Sequence, residues 1–193
     1  MRRAVSTSVI ACTLAALLCG PHALARETAP TALARALAPA GYTAVPMTRH
    51  GDAHLTVSVR INDVAGTFIL DTGAGRTVID RAAQSRFDQG RATRAGGRAT
   101  GAGGSGMAIR ALPGNRLRIG DYRDDAFTVH FLALDHVNAA FSQRGEAPVD
   151  GVIGADILER GGAVIDYPNL RLYLRTPAAA QPAASSPSSN EQR

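Results

Sequence analysis

Two cysteines are all that the chain of 193 residues contains, and both, Cys12 and Cys19, fall within its first 25 positions. Those positions read as an export signal. Arg2 and Arg3 come first, the apolar run SVIACTLAALLC (8–19) follows, and Ala23-Leu24-Ala25 gives the small-x-small pattern of a cleavage site. The run is too short for a comfortable membrane span. Cleavage after Ala25 leaves a chain without cysteine. An exported protein can form disulfides, but this one then has none to form. A thiolate nucleophile and cysteine–zinc chemistry are excluded with them, so packing, hydrogen bonds or association must stabilise the fold. The expected location is periplasmic or secreted, with no stable membrane span once the signal is gone. The alternatives are an uncleaved N-terminal anchor and a lipid on Cys12, because Val9-Ile10-Ala11-Cys12 resembles a bacterial lipobox.

Lysine is absent altogether: all 21 basic residues are arginine. Loss of Arg2 and Arg3 brings the formal charge from +5 to +3, which is mild. The arginines are dispersed apart from Arg86, Arg91, Arg94 and Arg98. Zinc-finger spacing, an RNP-like aromatic motif and a basic helix are all missing, so nucleic acid is not an expected partner. Other chemistries lack their signatures too. No G-x-S-x-G elbow occurs, so a hydrolase-type serine has no setting. His50, His54, His130 and His136 form no H-E-x-x-H or similar spacing, and Asp121, Asp124 and Asp125 lack the order of a calcium loop. The expectation is no metal and no cofactor.

What is present is β-rich. Residues 176–193 (TPAAAQPAASSPSSNEQR) hold almost nothing apolar beyond alanine and read as a disordered tail. Residues 26–41 read as a linker or a short alanine-rich helix, which leaves 42–175 as the folded domain. Residues 43–49 fit a strand, with Pro46 demanding an edge. Residues 55–61 alternate, Leu55, Val57, Val59 and Ile61 against Thr56, Ser58 and Arg60, as a half-buried strand does. Residues 67–70, 107–112, 117–119 and 126–134 also read as strands. Residues 79–87 hold one or two helical turns with Asp80 as N-cap, and 155–161 a short helix stopped by glycine. Residues 163–166 and 170–174 form a closing hairpin around Tyr167-Pro168-Asn169. No strand–long helix–strand rhythm appears, which argues against a doubly wound sheet.

One stretch stands apart: FILDTGAGRTVID, residues 68–80. Here a strand-like run ends on a carboxylate, Asp71. Thr72 brings a hydroxyl able to bond across a symmetric contact, and Gly73 permits a turn or a close approach. Asp-Thr-Gly alone is a three-residue match that an Asx-turn closing a hairpin would also satisfy. Three further segments lie downstream: ATGAGGSGMAIR (99–110), VDGVIGADIL (149–158) and AVIDYPNLRLYL (163–174).

In this order and spacing, the four segments resemble the retropepsin-like aspartic proteases, in particular their exported or membrane-associated bacterial members. The resemblance covers about residues 43–175. It implies an all-β, single-lobe acid protease fold with a flap hairpin and one short C-terminal helix. Asp71 resembles the catalytic aspartate, with Thr72, Gly73 and Ala74 supporting its loop. Gly101, Gly103, Gly104, Ser105 and Gly106 resemble the flap tip. Val152, Ile153 and Gly154 resemble the hydrophobic-hydrophobic-glycine segment packed behind the loop. Val78, Ile109 and Ile153 are candidate subsite walls. Gly75 departs from the pattern, since the family usually carries serine, threonine or aspartate there. Asp150 lacks the Asp-Thr-Gly setting and reads as structural.

The activity so implied is that of an aspartic endopeptidase acting on a peptide or protein substrate. Its water is activated by an Asp dyad. Two carboxylates about 3 Å apart cannot both ionise and share one proton. With one Asp-Thr-Gly per chain, the dyad requires a homodimer with Asp71 from each copy at the axis. The alternative is a catalytically silent peptide-binding or scaffold domain of the same fold.

Overall fold

The computed structural model describes residues 30–101 and 104–176. The expected signal (1–25), the start of the 26–41 segment, the flap residue Gly103 and all but the first residue of the expected tail lie outside the described residues.

The chain opens with α1 (Ala32–Leu37), capped by the Thr31 hydroxyl, which accepts from the Ala34 N–H at 3.1 Å. A single 3-10 turn over 38–40 follows. Four strands come next: β1 (Thr43–Pro46), β2 (Thr48–His50), β3 (His54–Ile61) and β4 (Val64–Leu70). Pro46 ends β1, which is an edge strand, so its missing N–H interrupts no ladder. In β3, Leu55, Val57, Val59 and Ile61 are buried while Ser58 and Arg60 are exposed, as the alternation in the sequence predicts; Thr56, expected on the outer face, is buried instead. Asn62 and Asp63 join β3 to β4 with φ of 48° and 71°, the left-handed pair that a two-residue hairpin turn requires.

β5 (Val78–Asp80) leads through a 3-10 turn, its Ala82 N–H capped by the Asp80 carboxylate, into α2 (Gln84–Asp88). The flap hairpin is β6 (Arg94–Gly101) with β7 (Gly104–Ile119). β8 (Tyr122–Leu132), α3 (Asp135–Ser142), β9 (Gly151–Ile153), α4 (Ala155–Arg160), β10 (Val164–Asp166) and β11 (Arg171–Leu174) complete the described chain. The architecture is thus an all-β lobe with short helices, α4 being the C-terminal one.

Two elements differ from the sequence expectation. The strands expected at 107–112 and 117–119 are one strand, β7, bulged between Leu112 and Asn115. The buried Asn115 amide fills the bulge, donating to the Leu112 carbonyl and accepting from Asn62 at 2.7 Å and Arg91 at 2.8 Å. A polar Pro-Gly-Asn sequence therefore bends a strand instead of ending it. The second difference is α3, for which the sequence carries no start signal: its N-cap is Leu134, whose side chain accepts no hydrogen bond.

Among the described residues the strands form two sheets. The larger runs β2-β3-β4-β9-β5-β8-β7-β6, with β3 also pairing to β7 through Arg60–Arg118 and Ile61–Leu117; the smaller runs β1-β11-β10. Short β9 lies between the two strands that flank Asp71, parallel to β4 and antiparallel to β5. Alternation along these strands makes two clusters. Phe68, Ile79, Phe131 and Ile153 point into the main core. Ile69, Val78, Leu132 and Val152 point the other way, where Ala74, Met107 and Ile109 join them. Each fully buried Phe or Ile contributes about 1.5–3 kcal/mol, so the strands beneath the Asp71 loop are anchored by their own side chains.

Candidate active site

β4 delivers the chain to Asp71 and β5 takes it away at Val78. Between them lies a loop built on β9. The Asp71 N–H donates to the Ile153 carbonyl at 3.1 Å, and the Ala74 carbonyl accepts from the Ala155 N–H at 2.7 Å. The loop is also closed on itself, because the Gly73 N–H donates to Asp71 Oδ1 at 2.8 Å. Asp71 remains exposed. Its carboxylate takes one backbone N–H and is otherwise open to solvent, on a loop held by backbone at both sides.

Glycine makes this contact possible. A Cβ on Gly154 would lie 2.6 Å from the Ala74 carbonyl oxygen and 2.8 Å from the Arg76 nitrogen. One on Gly151 would meet the Val78 carbonyl and the Phe68 ring. Both approaches are to backbone, which cannot step aside as a side-chain end can. Gly73 is tight as well, with Asp71 Oδ1 at 3.2 Å from a Cβ placed there. Gly75 is unlike them: nothing lies within 4 Å of its Cβ position.

Two residues not singled out in the sequence fasten the far end of the loop. Thr77 is almost fully buried. Its N–H and hydroxyl both donate to Asp156 Oδ1, at 2.8 and 2.7 Å, and the hydroxyl accepts from the Gly154 N–H at 3.1 Å. Asp156 Oδ1 also accepts from the Ile157 N–H at 2.9 Å, which fixes it at the start of α4. An acid in the first turn of a helix, Asp156, was the available signal, but only the fold shows that Thr77 and Asp156 meet.

The sequence-predicted residues divide by location. Asp71, Thr72, Gly73 and Ala74 form the loop, and Val152, Ile153 and Gly154 lie directly behind it. Thr72 also lines a groove of about 350 Å³ with Ala155, Leu158, Glu159, Gly162, Ala163 and Ile165. Gly101, Gly104, Ser105 and Gly106 lie at the end of the β6–β7 hairpin. Val78 and Ile109 share the face of the smaller cluster. Ile153 does not: it is fully buried in the main core, so it backs the loop and cannot wall a subsite.

Asp150 lies at the opposite end of β9 from Asp71. Its Oδ2 accepts from the Thr67 N–H at 2.9 Å and its Oδ1 from Arg86 at 2.5 Å. His130, on β8, faces Arg76, whose Nη1 is 3.0 Å from His130 Nε2. Burial, with the Arg76 charge adding to it, holds the His130 pKa below the usual histidine value. Among the described residues no group of three or more His, Cys, Asp or Glu side chains is arranged to hold a metal ion, and no helix is long and apolar enough to cross a membrane.

A lobe of this kind, with one acid-bearing loop braced by a hydrophobic-hydrophobic-glycine strand, is the single-lobe acid protease fold. The chain belongs to the aspartyl protease family, whose model matches residues 57–157. Among solved structures it is similar to EIAV protease complexed with an inhibitor, at 23% identity and a TM-score of 0.46, over 62% of this chain and 98% of that one. It is also similar to a retropepsin-like aspartic protease from Rickettsia conorii, at 20% identity and a TM-score of 0.46, over 69% of this chain and 90% of that one. No curated protein matches it.

Proposed function

We propose that the chain is an aspartic endopeptidase that works as a homodimer, with Asp71 of each copy meeting at a two-fold axis. The observation that carries this reading is Asp71 itself: an exposed carboxylate on a backbone-braced loop, in the one Asp-Thr-Gly of the chain. One carboxylate is half of the chemistry. In the dimer, an ionised Asp71 takes a proton from water while a protonated Asp71 polarises the scissile carbonyl. The new C–O bond gives a tetrahedral intermediate. Its collapse breaks the C–N bond, and the leaving amine receives the proton from the dyad. The two titrations belong to the pair and not to either residue.

Thr72 supports the same arrangement, since its hydroxyl makes no hydrogen bond among the described residues and lies next to the acid. The β6–β7 hairpin supplies a cover for the substrate, and excluding water strengthens the electrostatics beneath it. The leader-like sequence of residues 1–25 favours export, to the periplasm or outside the cell.

The test is a cleavage profile on a peptide library, run with wild type and Asp71→Asn at several pH values and protein concentrations. Cleavage by wild type alone, rising with dimer in sedimentation, is the expected result. Equal cleavage by both proteins rejects Asp71 as the acid, and activity in a persistent monomer rejects the dyad. No cleavage by either protein favours the peptide-binding reading. Mass spectrometry of the exported product, with an N-terminus at Arg26, tests the location.

A further inference from the structure

The mechanism leaves one cation beside the catalytic loop without a role. Arg76 follows Asp71 by five positions, and its backbone packs against the Gly154 position. Its side chain is exposed, with Nη1 3.0 Å from His130 Nε2. A guanidinium only donates, so Nε2 accepts and the ring proton sits on Nδ1. Burial and the adjacent Arg76 charge favour the neutral ring over the charged one. A neutral imidazole tethers the arginine through one N–H and cancels none of its charge. Arg86, Arg116, Arg144 and Arg160 each have a carboxylate within 4.0 Å, whereas Arg76 has none among the described residues. Asp156, the acid close to His130, has its Oδ1 committed to Thr77 and the Ile157 N–H and makes no ion pair with Arg76, so its charge acts there only from beyond 4.0 Å.

The tether also says which way the charge faces. Val129 and Phe131 point into the main core, so His130, between them on β8, points to the other face. Leu132 is on that face, and Ala111, the ladder partner of His130, leads two positions back along β7 to Ile109. Val78, Ala74 and Met107 gather there too. Arg76 therefore places a guanidinium with no ion-pair partner among the described residues at the margin of the apolar wall next to the Asp71 loop.

We propose that Arg76 is a specificity residue that receives a substrate carboxylate, an Asp or Glu side chain near the scissile bond, and that His130 is its positioning residue. This rests on the peptidase reading above. A guanidinium fork matches a carboxylate in a way that no apolar wall can. In a two-fold dimer each copy supplies one Arg76, so acidic residues are favoured on both sides of the scissile bond.

The test uses full-length protein carrying Asp71→Asn, which binds without cleaving. Its probe is a fluorescein-labelled peptide set in which each position is varied among Asp, Glu, Gln and Lys, with affinity read by anisotropy. At one position or more, the acidic peptide binds about tenfold tighter than its Gln counterpart, as a charge-assisted pair gives. Adding Arg76→Gln brings that ratio to about one, and adding Arg76→Glu turns it in favour of Lys. His130→Ala lowers the ratio several-fold, and His130→Gln, which keeps an acceptor, restores part of it. Circular dichroism confirms that each variant is folded. Equal affinity across the set, or an acidic preference that survives Arg76→Gln, overturns the assignment. An intact preference in a chain whose wild type cleaves nothing overturns the peptidase reading and leaves the Arg76 assignment standing.

Discussion

Thr77 and Asp156, 79 positions apart in sequence, share a double hydrogen bond onto one carboxylate oxygen, at 2.8 Å from the Thr77 N–H and 2.7 Å from its hydroxyl. The pair joins the outgoing end of the Asp71 loop to the first turn of α4. Thr77→Val keeps the shape and removes the hydroxyl, leaving the Gly154 N–H and one Asp156 bond unmade in a buried place. The expected cost is about 1–3 kcal/mol, read by urea denaturation at fixed protein concentration. Asp156→Asn keeps an acceptor oxygen and costs less than Asp156→Ala. An undisturbed midpoint in Thr77→Val contradicts the bracing role.

The two aspartates at opposite ends of β9 have different consequences. Asp71→Asn retains an oxygen for the Gly73 N–H, so the fold is expected to keep its stability within about 0.5 kcal/mol. Peptide hydrolysis falls by ~10²–10⁴-fold, the order that loss of acid–base catalysis gives. Asp150→Asn weakens the Arg86 contact and leaves kcat/KM within about threefold of wild type, since small surface-type losses stay near 0.5 kcal/mol. Parallel kinetics and melting curves separate the two. A hydrolysis defect in Asp150→Asn as deep as that of Asp71→Asn contradicts the assignment.

The glycines of the loop are predicted to differ sharply in tolerance. Gly154→Ala and Gly151→Ala drive a Cβ into backbone, at 2.6 Å from the Ala74 oxygen in the first case, and overpacking of that kind costs about 1–3 kcal/mol. Gly75→Ala and Gly75→Ser have open space and are expected to fold as well as wild type. Thermal unfolding of the four variants gives the ranking, and a Gly75→Ser protein as unstable as Gly154→Ala contradicts the geometry.

His130 makes stability depend on pH in a predictable direction. Burial, and then Arg76, lower its folded-state pKa below the ordinary histidine value of about 6.5. The unfolded chain therefore binds this proton more readily. The contribution is complete above about pH 6.5 and is lost as pH falls through the lowered folded value. His130→Gln is expected to flatten the stability profile between about pH 7 and pH 5. Urea midpoints at matched protein concentration measure this. An unchanged slope means that His130 is not the titrating group.

Much of the lobe is legible in local pattern. The alternation of β3, the turn at Asn62-Asp63 and the Asp80 cap are decided within a few residues, so the sequence shows them directly. The same holds for the strand-acid-turn of 68–73. Elements set by distant partners are not legible. Helix α3 has no capping residue of its own; Asn138 holds it, donating to Asp80 at 2.8 Å and accepting from the Val149 N–H at 2.8 Å. Ile153 looks like a wall residue in isolation, but the register of β9 turns it into the core.

What the amino-acid order determined unaided is the chemistry on offer: a single Asp-Thr-Gly acid in a small-residue turn, and a glycine-dense segment downstream of it. Those follow from residue type and spacing, which need no partner across the chain. What only the tertiary structure decided is how that acid is held and what surrounds it. β9 enters between β4 and β5 from some 80 residues away in sequence, and that insertion brings Gly154 against Ala74 and Asp156 against Thr77. The same packing, with β8 laid beside β5, puts His130 under Arg76. Contacts made by chain segments so far apart depend on the register of every strand between them, and no local window of sequence carries that information.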